Sequence, residues 1–118
     1  VLGICLGLHI IANACGGKVS TGAAGGYGAI EVEINVHNDI LAGYPDCIKV
    51  WASHADEVVL VPSGFQTLAH SRICASEAIA APDRHIYGLQ WHPEVSHTID
   101  GRRVYENFER ICREESNR

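Results

Sequence analysis

The chain has 118 residues, room for one compact domain, and its 47% apolar fraction supports a buried core rather than a disordered chain. A formal charge of −5 gives no footprint for nucleic acid or an anionic membrane, and no stretch reads as a membrane span or a secretory signal. The five cysteines (Cys5, Cys15, Cys47, Cys74 and Cys112) are odd in number and lack CxxC spacing, which argues against a disulfide framework or a structural zinc site and for a reducing cytosol.

In chain order, Val1-Leu2-Gly3-Ile4 reads as the end of a buried strand already under way, so further strands are expected to precede residue 1. From Leu6 the helical spacing of Leu8, Ile11, Ala12 and Cys15 predicts a helix that Gly16-Gly17 ends. Ser20 to Gly28 is small and glycine-rich, and a surface loop is expected there. Ile30, Val32, Ile34 and Val36 alternate with polar residues, the period of a strand with one wet face. Ile48, Val50 and Ala52 predict another strand, ending at Ser53-His54. Short strands are expected at Val58 to Val61 and Gln66 to His70, and a hairpin from Ala75 to Trp91 turning at Pro82-Asp83-Arg84. Val104, Phe108, Ile111 and Cys112 mark an amphipathic closing helix, with Cys15 and Cys112 expected in the core.

Two motifs carry chemistry. Gly3-Ile4-Cys5-Leu6-Gly7 has the form of a strand–nucleophile–helix turn, in which flanking glycines relieve crowding around a strained residue. A thiol at a helix N-terminus feels the positive end of the dipole, which favours the thiolate, and the Leu6 N–H is placed to donate to a developing oxyanion. Alone, this motif is equally a buried structural cysteine between packing glycines. Trp91-His92-Pro93-Glu94 is the second motif: residues i and i+2 of an extended segment project to one side, and Pro93 biases His92 towards that conformation. A cysteine nucleophile needs a base, and the base needs an orienting group. Either motif alone has a bland reading; together they favour catalysis by Cys5, His92 and Glu94.

GICLGLH followed by GLQWHPE resembles the paired signature of class I glutamine amidotransferases, GxCxGxQ and GxQFHPE. Within that family, WASHADEV, PSGFQTLAHS and HPEVSHTIDG resemble the glutaminase of GMP synthase, and the short form is most similar to the archaeal type that pairs with a separate synthetase chain. The resemblance implies an α/β fold of flavodoxin-like type, a mixed, largely parallel sheet with flanking helices, of which residues 1–118 form the C-terminal portion. It implies hydrolysis of glutamine through a Cys5 thioester, with His92 as acid and base and Glu94 orienting it. Substrate contacts map onto Leu6, His9, Ser53, Ala55 and Asp56, partly through backbone, while His54 is read as structural. His9 stands where the family usually has Gln. The family's second oxyanion donor comes from an earlier glycine-rich loop outside these residues. No phosphate-cradling glycine loop of the P-loop kind occurs here, so no cofactor is expected in this chain, and ATP and magnesium are expected on a partner GMP synthetase that aminates xanthosine monophosphate.

Other readings stay open at this stage: a glutaminase of another pathway, a free-standing thiol hydrolase, or a non-catalytic partner-binding remnant. His37, His70, His85 and His97 lack the spacing of metal ligands, and His97 is expected to bond within its own loop. Glu31, Glu33, Asp56 and Glu57 are read as a solvated edge in preference to an acidic docking face.

Overall fold

A computed structural model describes residues 1–95 and 98–116, with the backbone alone at 22–27, 53–55 and 115–116. Six strands form one sheet in the order β1-β6-β5-β4-β2-β3: β1 is Leu2–Ile4, β2 Lys18–Ile34, β3 Cys47–Leu60, β4 Gln66–His70, β5 Ala78–Ala81 and β6 Ile86–Leu89. Helix α1 (Leu6–Ala14) follows β1 directly, and α2 (Arg102–Ser116) closes the chain. The sheet is mixed. Within these residues parallel pairing is confined to β1 with β6, and the remaining pairings are antiparallel, so the parallel share is smaller than expected. No helix among the described residues is long and apolar enough to cross a membrane.

Two strands differ from expectation. Residues 20–28, expected as a loop, continue β2, and β3 does not end at residues 53–54 but runs on to Leu60. The two form one long antiparallel ribbon, with Gly26 opposite His54, Gly28 opposite Ala52 and Val19 opposite Val58. Glycine and alanine carry no alternating apolar signal, so here the cross-strand partner, not local preference, sets the structure. A register shift between Thr21 and Gly26 marks where the ribbon is irregular.

The larger core lies between the sheet and α2, where Val32, Ile34, Val50, Leu68, Leu89 and Trp91 meet Val104 and Ile111. The smaller one lies under α1 and joins Leu8 and Ala12 to Val58 and Ile79. The buried stripe of α2 holds Asn107, not Cys112. Residue 112 lies one step of about 100° off the Val104–Asn107–Ile111 line and is exposed, while Cys15 is only half-buried. Asn107 Nδ2 donates to the carbonyls of Ile40 (2.9 Å) and Ala42 (3.0 Å), tying α2 to the short 3-10 turn Asp39–Leu41.

The sheet closes back on itself. The His92 N–H donates to the Trp51 carbonyl at 3.0 Å, although four strand spacings separate β6 from β3 in the sheet order. Four spacings amount to about 19 Å in a flat sheet, and three residues beyond Leu89 span about 10 Å at most. The sheet is therefore strongly curled, and the loop after β6 lies along the outer edge of β3.

Candidate active site

β1 and β6 run parallel, with Ile4 beside Leu89, so the residues that follow both strands emerge at one end of the sheet. The Cys5 N–H donates to the Leu89 carbonyl at 2.8 Å, extending that pairing by one residue before α1 begins. Cys5 is the N-cap of α1 and has φ 54° and ψ −104°. Positive φ in a non-glycine residue costs about 1–3 kcal/mol and is retained where the surroundings impose it. Gly3 is part of what imposes it: a Cβ there would come within 2.6 Å of the Gly7 backbone and of Ile11 Cδ1. Strand and helix therefore meet closely across the turn. The space at Gly7 itself is open among the described residues, so only one of the two flanking glycines is required by contact at its own position.

Burial pushes the Cys5 thiol up, the Leu6 N–H hydrogen bond to the sulfur pulls it back down, and the Glu94 charge adds a further upward push. The Leu6 side chain is exposed, so that residue faces the sulfur with its backbone alone. Four residues on, His9 is buried on α1 with Nε2 2.8 Å from Gln90 Oε1, and Gln90 Nε2 lies 3.8 Å from Cys5 Sγ.

His92 and Glu94 face each other, as their spacing predicts: Nδ1 of His92 is 2.9 Å from Glu94 Oε2. That geometry suits a ring carrying its proton on Nδ1, which leaves Nε2 to exchange a proton elsewhere. The His92 backbone is held on two sides. Its N–H donates to Trp51, and its carbonyl accepts from Thr98 Oγ1 at 2.6 Å; the same hydroxyl accepts from the Trp51 N–H at 2.8 Å. β3 continues from Trp51 through Ser53 and Ala55 to Asp56, so the segment expected to contact substrate leaves the strand position to which His92 is bonded. Thr21 Oγ1 donates to Asp56 at 3.1 Å. The side chains of Ser53, His54 and Ala55, and all of His97, lie outside the described residues.

Among the other histidines, His37 pairs with Asp46 at 3.1 Å, and His70 pairs with Glu33 at 2.8 Å and bonds Asn35. Among the described residues no three His, Cys, Asp or Glu side chains are grouped to hold a metal. A cavity of about 620 Å³ is lined by Glu31, Glu33, Cys47, His70 and Arg72 among others, and none of Cys5, His92 and Glu94 borders it. Glu57 belongs to no simple solvated edge, since it is half-buried and its charge adds to the negative surroundings of Cys74 and Glu77.

Sequence reasoning missed two groups near the site. Gln90 is wholly buried, and its one signal is an amide inside the apolar run Tyr87–Trp91. Glu77, opposite it across the β5–β6 pairing, is also wholly buried. Its Oε2 accepts from Ser71 Oγ at 2.5 Å, and its Oε1 has no hydrogen-bond partner among the described residues.

The glutamine amidotransferase class-I family model matches residues 1–111. The chain is 67% identical over 114 residues to the glutamine-hydrolysing GMP synthase subunit of Methanoregula boonei, a match that covers 97% of this chain and 62% of the relative. It is 52% identical to the protein of the same name from Halobacterium salinarum, covering 95% of this chain and 62% of the relative. The chain thus spans just under two thirds of the length of these relatives. A solved structure from Thermoplasma acidophilum, provisionally described as a GMP synthase subunit, superposes with a TM-score of 0.96 at 35% identity over 98% of this chain and 58% of that one. A glutamine amidotransferase from Thermotoga maritima superposes with a TM-score of 0.74 at 27% identity, over 97% of this chain and 46% of the other. By the family model and these relatives, and with the Cys5 turn following β1 and the hydrogen-bonded His92–Glu94 pair in the loop after β6, the chain belongs to the class I glutamine amidotransferases.

Proposed function

We propose that this chain is the C-terminal portion of a single cytoplasmic glutaminase domain that releases ammonia from glutamine for a separate GMP synthetase chain. The observation that carries the reading is the placement of Cys5 directly after β1 and of the hydrogen-bonded His92–Glu94 pair in the loop that follows its parallel neighbour β6. In this reading His92 takes the Cys5 thiol proton on Nε2, the thiolate attacks the side-chain amide carbon of glutamine, and the carbonyl oxygen takes up the negative charge facing the Leu6 N–H. Collapse of that intermediate breaks the C–N bond, and His92 gives the departing nitrogen its proton. Water, deprotonated by His92, then attacks the thioester; the C–S bond breaks, glutamate leaves, and His92 returns the proton to the sulfur, restoring the thiol. Glu94 holds the imidazole tautomer and stabilises its charged form. Leu6, His9, Ser53, Ala55 and Asp56 are the proposed substrate-side residues.

The names of the relatives support the synthetase partner, which would carry ATP and magnesium and aminate xanthosine monophosphate. The test is labelling with a glutamine-derived chloroketone followed by peptide mapping of all five cysteines. Modification confined to Cys5 and blocked by excess glutamine is expected. Uniform labelling, or none, overturns the reading for this chain.

A further inference from the structure

The buried face of α1 against β6 holds two polar side chains for which the proposed reaction has no proton-transfer role. His9 and Gln90 are both buried, and they sit in line with the Cys5 sulfur: His9 Nε2 to Gln90 Oε1 is 2.8 Å, and Gln90 Nε2 to Cys5 Sγ is 3.8 Å. Once ionised, the sulfur can only accept a hydrogen bond. Gln90 must then turn its NH2 towards Sγ and its oxygen towards His9, and His9 must carry a proton on Nε2. A ring protonated on Nδ1 alone would present a lone pair to that oxygen. The amide would then turn over and face the sulfur with its own oxygen.

We propose that Gln90 is a positioning residue for the Cys5 thiolate and that His9 fixes the direction of the Gln90 amide. The inference rests on Cys5 being the nucleophile proposed above. It gives His9 a role through Gln90 in addition to the substrate contact suggested by the family motif. The NH2 of Gln90 adds a donor to the Leu6 N–H, and both oppose the burial of the sulfur and the charge of Glu94. The titratable groups ranged around this line are His9 on α1, Glu77 ahead of β5, and His92 and Glu94 after β6.

The test is the pH dependence of Cys5 alkylation by iodoacetamide in the full chain, read by peptide mapping, with the exposed Cys112 as an internal reference. Gln90→Met keeps the volume and removes the donor. Its Cys5 midpoint is expected to rise by about one pH unit, a roughly tenfold loss of reactive thiolate below the midpoint, with the plateau rate at high pH retained. His9→Glu, an acceptor beside the amide oxygen, is expected to raise the midpoint likewise, and His9→Gln, which keeps an N–H donor, to restore it. An unchanged midpoint in a folded Gln90→Met overturns the proposal, and so does an equal shift in His9→Gln and His9→Glu. These outcomes are separate from failure of the glutaminase reading, which the chloroketone reports and iodoacetamide does not.

Discussion

Glu77 is the residue whose replacement should most change stability without touching the proposed chemistry. Its carboxyl is wholly buried, one oxygen is unpartnered among the described residues, and the other accepts a hydrogen bond from the Ser71 hydroxyl. Burial raises it from the ordinary 4.5 to about 7; the Ser71 hydrogen bond opposes this and the Glu57 charge reinforces it. The folded state therefore holds a proton that the unfolded chain releases, so stability falls as pH rises. The contribution is fully present below about pH 4.5 and lost as pH climbs through about 7. A rise of that size corresponds to about 3 kcal/mol. Glu77→Gln keeps the shape and the acceptor for Ser71 but never ionises. Urea unfolding at pH 5 should find wild type and variant nearly alike, and at pH 8 the variant should be more stable by about 2–3 kcal/mol, or roughly 10 °C in Tm. Because other carboxylates impose their own pH dependence, the quantity to read is the difference between the two proteins. Parallel stability curves from pH 5 to pH 8 would refute the argument.

Removing the Thr98 hydroxyl with Thr98→Val leaves the Trp51 N–H and the His92 carbonyl each without this partner. About 2 kcal/mol of stability should be lost, and ammonia release should fall about tenfold in kcat with KM little changed, as steady-state kinetics would reveal. Glu94→Gln is expected to separate two properties. With the negative charge gone, the alkylation midpoint of Cys5 moves down, yet turnover drops about a hundredfold because His92 loses its orienting carboxylate; a midpoint that moves up would contradict this. In Gly3→Ala the new methyl meets the Gly7 backbone, so thermal unfolding should show a loss of about 1–3 kcal/mol and a slower Cys5 reaction. Asn107→Leu strips the Ile40 and Ala42 carbonyls of their donor and should cost about 2 kcal/mol in urea titration, with Cys5 labelling unaltered.

Much of the fold was legible because its signals are local. Strict alternation from Ile30 marks the apolar half of β2, the Pro82-Asp83-Arg84 turn marks the β5–β6 hairpin, and three- and four-residue spacing marks both helices. The glycine–alanine stretch of β2 carries no such signal, because its strand state comes from a partner more than twenty residues away. Within the site, the meeting of His92 with Glu94 followed from their i, i+2 spacing, and the position of Cys5 from the strand–helix turn. Gln90 and Glu77 were hidden for a different reason: a polar residue in an apolar strand says that it is buried, but not what it faces. Their places follow from the β5–β6 register and from the seating of α1, both of them tertiary.

The loop that carries His92 also covers the outer edge of β3. Trp51 has both its N–H and its carbonyl engaged by that loop, and the Lys49 carbonyl accepts from the Ile99 N–H at 3.0 Å. An uncovered edge strand offers these groups to any other chain that arrives extended, which is how sheet proteins join edge to edge into aggregates. Lifting the loop would therefore displace the candidate base and bare a sticky edge in one movement. Under mild heating, loss of activity and the first self-association should share a single onset.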